Sequence, residues 1–190
     1  MMIESPQVSQ LAEGVFAVPN FLSAARCAEL IAYAEKQGFE AAKVGSSGKH
    51  MKMEHLRNNA RRIEDRPVLA QELWPALQPH VPDEYFGCRP NGLNERFRFY
   101  RYREGERFGW HADGAYRRPN GEESIYTLLI YLNEGYVGGE TSFKEVEVVP
   151  QTGLAVFFLH KKEHRGCELV EGVKYVLRSD IMATRPTWKR

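Results

Sequence analysis

Residues 96–102, R-F-R-F-Y-R-Y, alternate between basic and aromatic side chains over most of their length. This period of two is typical of a β-strand that buries one face. Further segments are alternating or largely apolar and rich in aromatic and β-branched residues, at 125–133, 146–149, 153–160 and 173–182. Many short strands without helices between them predict a sandwich, barrel or jelly roll rather than a parallel sheet.

Two segments of the N-terminal half repeat apolar residues at helical spacing instead. Ser23 is the predicted N-cap of the first helix, which ends at Gly38. Asp65 is the predicted N-cap of the second, with Pro67 near its start and Pro75 as a possible kink. The apolar faces consist of Leu30, Ile31, Ala34, Leu69, Leu73, Trp74 and Leu77. We therefore expect a mainly β fold, a double-stranded β-helix (jelly roll, cupin-like) core with N-terminal helices packed on one sheet.

The composition is that of one globular domain. The chain has 190 residues, of which 43% are hydrophobic and 27% charged, and a net charge of +1. These values exclude a disordered chain or a polycation, so we expect neither nucleic acid nor an anionic membrane as a partner. With no membrane span and no secretory leader in the sequence, we expect a soluble, cytoplasmic protein. Cys27, Cys88 and Cys167 have no zinc-like spacing and are expected to be free thiols.

The stretch W-H-A-D-G at 110–114 places His111 and Asp113 two residues apart. A non-haem ferrous site uses two histidines and one carboxylate, so this pair would need another histidine from a distant strand. His160 and His164 flank the turn after an apolar strand and are the two to separate. The other histidines, in a predicted loop or at a helix end, are expected to be solvated: His50, His55 and His80.

Lys174 favours His164 over His160. Lys174 follows His164 by ten residues, after a glycine turn. In a barrel with iron at its mouth, 2-oxoglutarate would chelate the metal with its keto-acid end and would need a cation deeper inside for its second carboxylate. The same offset from His160 reaches Val170, which cannot serve. Arg178 lies further along the same strand and on the same face by parity, so it could assist Lys174 or replace it.

Three features could contact a substrate. They are the basic segment A-Y-R-R-P-N-G at 115–121, the pair Arg98 and Arg101, and the loop 45–55 as a lid. Each has an ordinary alternative, since charged stretches are usually solvated and a loop can be a plain surface connection. A tight turn and then a strand edge are predicted at Gly138, Gly139, Glu140 and Thr141.

Four blocks of the chain together resemble the catalytic core of the prolyl 4-hydroxylase-like Fe(II)/2-oxoglutarate-dependent dioxygenases. In chain order they are R-Y-R-E-G-E-R-F-G-W-H-A-D, Y-T-L-L-I-Y-L-N, G-G-E-T-S-F and H-R-G-C-E-L-V-E-G-V-K-Y. The set, in this order and at these spacings, is far more specific than any single block. The resemblance covers about 93–183 and is weaker before it. It implies a single domain over 1–190, with a catalytic core at about 93–183 and helical support at about 10–92.

The resemblance implies a role for seven residues. The metal ligands would be His111, Asp113 and His164, and the 2-oxoglutarate residues Lys174, Tyr131, Tyr102 and Arg178. Lys174 is preferred to Arg178 as the partner of the distal carboxylate, because its distance from His164 is the one that the family keeps. For the two tyrosines, simple packing in the core is the alternative.

The implied activity is hydroxylation of a carbon by a dioxygenase that uses Fe(II), 2-oxoglutarate and dioxygen and releases succinate and carbon dioxide. Ascorbate (vitamin C) is a candidate reductant. The substrate would be a peptidyl residue, proline by analogy with the named family members, or a small molecule. The sequence leaves the oligomeric state open.

Two kinds of protein remain as alternatives. One is a non-oxidative cupin-like protein, either a zinc or manganese enzyme or a degenerate binding module, in which Lys174 would have no role. The other is a nucleic-acid dealkylase of the same superfamily. The chain lacks both the arginine pairing expected after the last histidine of that group and a basic face in its composition.

Overall fold

The computed structural model describes residues 8–41 and 57–184, and these contain two α-helices and fifteen β-strands. The helices are α1 (Ala24–Gln37) and α2 (Pro67–Leu77), the second continued by a 3-10 turn at Gln78–His80. The strands are β1 (Ser9–Ala12), β2 (Val15–Val18), β3 (Glu40–Ala41), β4 (Ala60–Asp65), β5 (Arg89–Leu93), β6 (Arg96–Tyr102), β7 (Phe108–His111), β8 (Glu123–Tyr131), β9 (Val137–Gly138), β10 (Thr141–Phe143), β11 (Glu147–Val148), β12 (Ala155–Leu159), β13 (His164–Gly166), β14 (Leu169–Glu171) and β15 (Lys174–Thr184).

The strands form two main antiparallel sheets. The large sheet has the order β1-β2-β12-β8-β15-β6-β4-β3, and β5 also pairs with β15. The small sheet has the order β11-β10-β13-β7, and β9 pairs with β14 beside it. One apolar cluster joins side chains of the large sheet to Phe143 of β10 and Leu169 of β14. The expected mainly β, jelly-roll architecture is confirmed.

The two faces of the large sheet have different partners. On β8, Leu129 and Tyr131 belong to the cluster shared with the small sheet, whereas Tyr126, Leu128 and Ile130 belong to a second cluster that contains the apolar faces of both helices. Because side chains alternate between the faces of a strand, neighbouring residues of one strand serve different layers. The inner face, toward the small sheet, is where a site can form. The outer face holds the predicted helices.

The first helix begins and ends as predicted. Ser23 Oγ accepts a hydrogen bond from the Arg26 backbone N–H at 3.2 Å, and Gly38 ends α1 with φ +83°. The predicted cap of the second helix is wrong. Asp65 is the last residue of β4, paired with Arg96 both across the sheet and by a 3.0 Å ion pair, so Arg66 takes the N-cap position without a side-chain hydrogen bond. Helix α2 continues past Pro75 to Leu77.

The C-terminal strands are better predicted than the N-terminal ones. The bounds of β6 coincide with the predicted 96–102, and the other four predicted segments contain strands displaced by a few residues. The region before residue 93, predicted from its helices, also contributes β1 to β5 to the large sheet. These strands lack a clear alternation in sequence, and β2, β4 and β5 are fixed by pairing with β12, β6 and β15.

Some expectations fall outside the part of the chain that the structure describes. They concern the loop 45–55 with its role as a lid, and the two histidines within it, His50 and His55. Within that part, Cys27, Cys88 and Cys167 are free, as predicted. Neither of the two described helices has both the length and the apolar character needed to cross a membrane.

Candidate active site

His111, Asp113 and His164 come together at one end of the inner face. Each offers a ligand atom, and these atoms lie within 4.8 Å of one another. His111 ends β7 and His164 begins β13, where they are direct cross-strand partners with ring centroids 4.2 Å apart. Asp113 lies two residues beyond β7, fixed by its backbone N–H, which donates to the His160 carbonyl at 3.0 Å. The chain thus brings together the residues predicted as metal ligands.

Both imidazoles are oriented by backbone carbonyls. His111 Nδ1 lies 2.8 Å from the Gly109 oxygen, and His164 Nδ1 lies 3.0 Å from the Lys162 oxygen. A carbonyl only accepts, so each Nδ1 carries the proton and each Nε2 keeps its lone pair free. The Nε2 atoms lie 3.9 Å and 3.7 Å from the Asp113 carboxylate oxygens. This donor set fits a divalent metal ion.

Burial keeps the histidines neutral. It lowers the pKa of His111 to about 4, with repulsion from His164 as a further cause, and it lowers the pKa of His164 as well. For Asp113, burial alone would raise the pKa. The neighbouring Arg178 guanidinium and His164, with a hydrogen bond from Thr127, outweigh that effect and lower it to about 2. At neutral pH the cluster therefore offers two neutral nitrogens and one carboxylate.

A chain of hydrogen bonds supports Asp113 from behind. Thr127 Oγ1 donates to Asp113 Oδ2 at 2.6 Å and lies 2.9 Å from His160 Nδ1. Since the threonine proton is engaged, His160 Nδ1 must donate to Thr127, and His160 Nε2 accepts from Ser124 Oγ at 2.8 Å. His160 is thus buried behind the carboxylate and does not join the ligand cluster.

A cavity extends from the three residues between the sheets. Its wall includes Tyr102, Thr141, Lys174 and Arg178, together with Arg57. Lys174 and Arg178 both face it, as the parity of β15 predicts. Tyr131 is fully buried nearby, and its hydroxyl donates to Thr141 Oγ1 at 2.7 Å.

Lys174 has no carboxylate within ion-pair distance among residues 8–41 and 57–184. Its Nζ donates to the Gly139 carbonyl at 2.5 Å and lies 5.3 Å from the ring centroids of both Tyr102 and Tyr131. Burial lowers its pKa to about 8. Gly139 has φ +72°, and a Cβ there would lie 3.2 Å from Lys174 Cδ, so this glycine permits the close approach of the lysine. The predicted tight turn at Gly138 and Gly139 therefore also makes room for the Lys174 side chain.

Arg178 is engaged already. One nitrogen, Nη2, lies 3.0 Å from Asp113 Oδ1 and 3.3 Å from Asp180 Oδ1. Its guanidinium therefore holds the candidate metal ligand. Of these two cations on β15, Lys174 is the one without a carboxylate partner among the described residues.

The other basic residues considered for substrate contact divide into two groups. Arg98 points to the inner face, where Nη1 lies 3.5 Å from Asp180 Oδ2. Arg101 points to the outer face and pairs with Glu35 at 3.0 Å, so the expectation that it meets a substrate is wrong for a reason of parity. In the segment 115–121 the arginines pair with acidic residues, namely Arg117 with Glu123 and Arg118 with Glu95 and Glu122.

Several residues of the site were not predicted from the sequence. They are Thr127, His160 in its supporting role, Thr141 and Arg57. Parity could have identified Thr127, since it shares a face of β8 with Tyr131. Nothing in the sequence around Arg57 indicates that it lines the cavity, because it reaches the cavity through an isolated backbone bridge to Phe108, which is distant in sequence.

Comparisons with known proteins agree with this geometry. Residues 97–179 match the family model of the 2OG-Fe(II) oxygenase superfamily. A search of curated proteins finds no match.

Three similar solved structures are prolyl hydroxylases. The viral collagen prolyl hydroxylase of Paramecium Bursaria Chlorella virus-1 has 22% identity and a TM-score of 0.61, over 92% of this chain and 100% of that one. The Pseudomonas putida prolyl-4-hydroxylase has 19% identity and a TM-score of 0.64, over 91% and 94%. The Trichoplax adhaerens prolyl hydroxylase, in complex with a hypoxia inducible factor peptide fragment, has 14% identity and a TM-score of 0.68, over 88% and 83%.

The structural likeness establishes a shared fold, and the family model covers the segment that contains all three clustered residues and Lys174. Residues 97–179 of this chain therefore match the 2OG-Fe(II) oxygenase superfamily.

Proposed function

We propose that this dioxygenase hydroxylates a carbon of a peptidyl residue, with proline as the first candidate, or of a small molecule. The observation that carries the proposal is the placement of two neutral histidines, one carboxylate and a buried lysine around one cavity, where the lysine has no carboxylate partner among the described residues. His111, Asp113 and His164 would hold Fe(II), and Lys174 would bind the distal carboxylate of 2-oxoglutarate. A non-oxidative metal enzyme or an empty binding module would have no use for that lysine.

Each residue would have a defined task. When bound, Fe(II), 2-oxoglutarate and dioxygen supply the power to hydroxylate an unactivated carbon, with succinate and carbon dioxide as co-products. Arg178 and Thr127 fix the two oxygens of Asp113, so the carboxylate is oriented before a metal arrives. Tyr102 and Tyr131 enclose the Lys174 ammonium and exclude water around it. The Tyr131 hydroxyl, with Thr141, would supply a second polar contact to the same carboxylate.

The substrate class is supported by the similar structures, because one of them holds a peptide fragment. Two further features are part of the proposal. Ascorbate would act as a reductant that keeps the iron ferrous. The protein would work in the cytoplasm, and the three free cysteines are in keeping with a reducing compartment.

An anaerobic titration tests the proposal. The purified protein with Fe(II) is titrated with 2-oxoglutarate, and the visible absorption band that arises when a keto acid chelates ferrous iron is recorded. We expect the band in the wild type and not in His164→Ala, with both proteins folded by circular dichroism. Bound iron without a band would overturn the dioxygenase proposal and favour a non-oxidative metal site.

A further inference from the structure

Arg57 is a buried cation in the wall of the cavity. The residue is 7% exposed, and its guanidinium carbon lies 4.4 Å from the ring centroid of Tyr100 and 4.5 Å from that of Phe108. Its Nε donates to Asn59 Oδ1 at 2.6 Å. Two aromatic rings and one amide therefore fix the position of the guanidinium, and none of these partners is charged.

One end of the Arg57 guanidinium has no partner. Its Nη2 is buried without a hydrogen bond, and no carboxylate lies within ion-pair distance of the side chain in the described parts of the chain. A buried, charged donor left unpaired is costly, and proteins seldom keep one without a reason. The rigid aromatic setting holds this donor at the cavity in advance of a ligand.

Phe108 links Arg57 to the candidate metal ligands. The ring of Phe108 stacks on His111 with centroids 3.6 Å apart and a 12° angle between planes, and the same ring contacts the Arg57 guanidinium. The ring of Phe108 therefore lies between the Arg57 guanidinium and His111, and all three residues line the same cavity. A group bound at Arg57 would share this cavity with the candidate metal ligands.

The positive charges around the cavity would exceed the negative charges even with 2-oxoglutarate bound, and Arg57 contributes to this excess. Fe(II) and Lys174 together would balance the two carboxylates of 2-oxoglutarate and that of Asp113. Arg178 and Arg98 share Asp180 between them. Arg57 then has no carboxylate within ion-pair distance among residues 8–41 and 57–184. The pKa of Tyr100, which burial would raise, is instead lowered by the charges of Arg178, Arg57 and Arg98. A second anion is therefore favoured at this part of the cavity.

We propose that Arg57 binds a carboxylate of the substrate, so that the substrate is an acid whose carboxylate lies near the hydroxylated carbon. An amino acid, or a short peptide that ends in proline with a free carboxyl group, has this chemistry. A guanidinium binds a carboxylate through two parallel hydrogen bonds, and Nη2 of Arg57 has no hydrogen-bond partner among the described residues. The inference rests on the proposed dioxygenase function and names its substrate class.

The test compares acids with their amides. The probes are the free L-amino acids and short proline-ending peptides, each paired with its C-terminal amide, and the measurement is succinate formation with Fe(II) and 2-oxoglutarate above the rate without a probe. We expect at least one acid to stimulate the wild type, with kcat/KM about tenfold or more above that of its amide, as the loss of a charge-assisted hydrogen bond implies. Arg57→Gln should lose that preference.

Two controls separate the possible outcomes. Arg107→Gln, which removes an exposed arginine paired with Glu168 outside the cavity wall, should behave as the wild type. The 2-oxoglutarate absorption band of Arg57→Gln should appear at the same cosubstrate concentration as in the wild type. If the amides stimulate as well as the acids, if no acid stimulates, or if Arg57→Gln keeps the preference, the inference is overturned. Loss of the band in the wild type would instead overturn the proposed function.

Discussion

Lys174 and His164 are site residues that could be predicted from the sequence, whereas Arg57 could not. The offset of ten residues between them identified the pair that the structure brings to one cavity, whereas His160, four residues earlier, lies behind Asp113. The sequence could suggest this choice because both residues belong to one contiguous block. Arg57 lies outside the four sequence blocks that resemble the family. Its proposed role rests on a buried nitrogen and on the contacts of its guanidinium with Tyr100 and Phe108, which appear only in the folded structure.

The lowered pKa of Lys174 predicts a pH dependence of cosubstrate binding. In the free protein the pKa is about 8, and a bound carboxylate would raise it, so binding takes up a proton above that pH. The affinity for 2-oxoglutarate should be constant below about pH 8. Above that pH it should fall roughly tenfold per pH unit, because binding then requires the uptake of one proton. Isothermal titration calorimetry with Fe(II) under anaerobic conditions measures this.

Lys174→Met provides the matched comparison. It should bind iron but weaken 2-oxoglutarate by about tenfold to a hundredfold, the value of a hydrogen bond to a charged group, and its residual affinity should not follow the titration of the lysine. An unchanged affinity in Lys174→Met, together with its loss in an Arg178→Met variant that still binds Fe(II), would show that Arg178 is the anchor.

At the scale of elements, alternation along β8 and β15 explains both the successes and the failures of prediction. The same strands place Thr127 and Lys174 inward and Leu128 and Leu177 outward, so a correct strand with the correct parity predicts the side chains of both layers. Arg98 and Arg101 were named together as residues that could contact a substrate, but they lie three positions apart on β6 and therefore point to opposite faces. Asp65 failed as a cap because the cross-strand pair with Arg96 is a non-local contact that a local helix signal does not contain.

The hydrogen bond from Thr127 of β8 to Asp113 predicts that loss of the threonine hydroxyl weakens metal binding. Thr127→Val removes the hydroxyl that connects Asp113 with His160 while it keeps the shape of the side chain. We expect the affinity for Fe(II) to fall by about tenfold to a hundredfold, as is typical when a group that orients a metal ligand is lost. Thr184→Val, at the exposed end of β15, is the control. Equal iron affinities in the two variants would exclude this role for Thr127.

At the scale of the whole molecule, the candidate metal site joins the two sheets. His111 and His164 belong to the small sheet, whereas Asp113 is held by Thr127 and Arg178 of the large sheet. A metal ion bound by all three would therefore add a link between layers that also meet through apolar contacts and the Tyr131–Thr141 hydrogen bond. The sequence could not reveal this link, because it depends on the pairing order of the strands.

Metal binding should accordingly raise the stability of the folded protein. At a metal concentration about a hundred times the dissociation constant, mass action gives about 2.7 kcal/mol. Thermal unfolding with and without Mn(II), which avoids iron oxidation, measures this as a higher Tm in the wild type. In His164→Ala the metal should produce no shift. A shift of equal size in that variant would place the ion elsewhere.

The interleaving of layers along β15 also bears on how such a protein can change over time. In the first half of this strand, Lys174, Val176 and Arg178 line the cavity, whereas Tyr175 and Leu177 between them belong to the layer that contains the helices. Substitutions at the inward positions can alter what is bound while the helical layer stays intact, and those at the outward positions can drift with the helices while the cavity stays intact. An insertion of one residue exchanges the two sets at once, so selection should tolerate replacement along this strand far more readily than any change in its length.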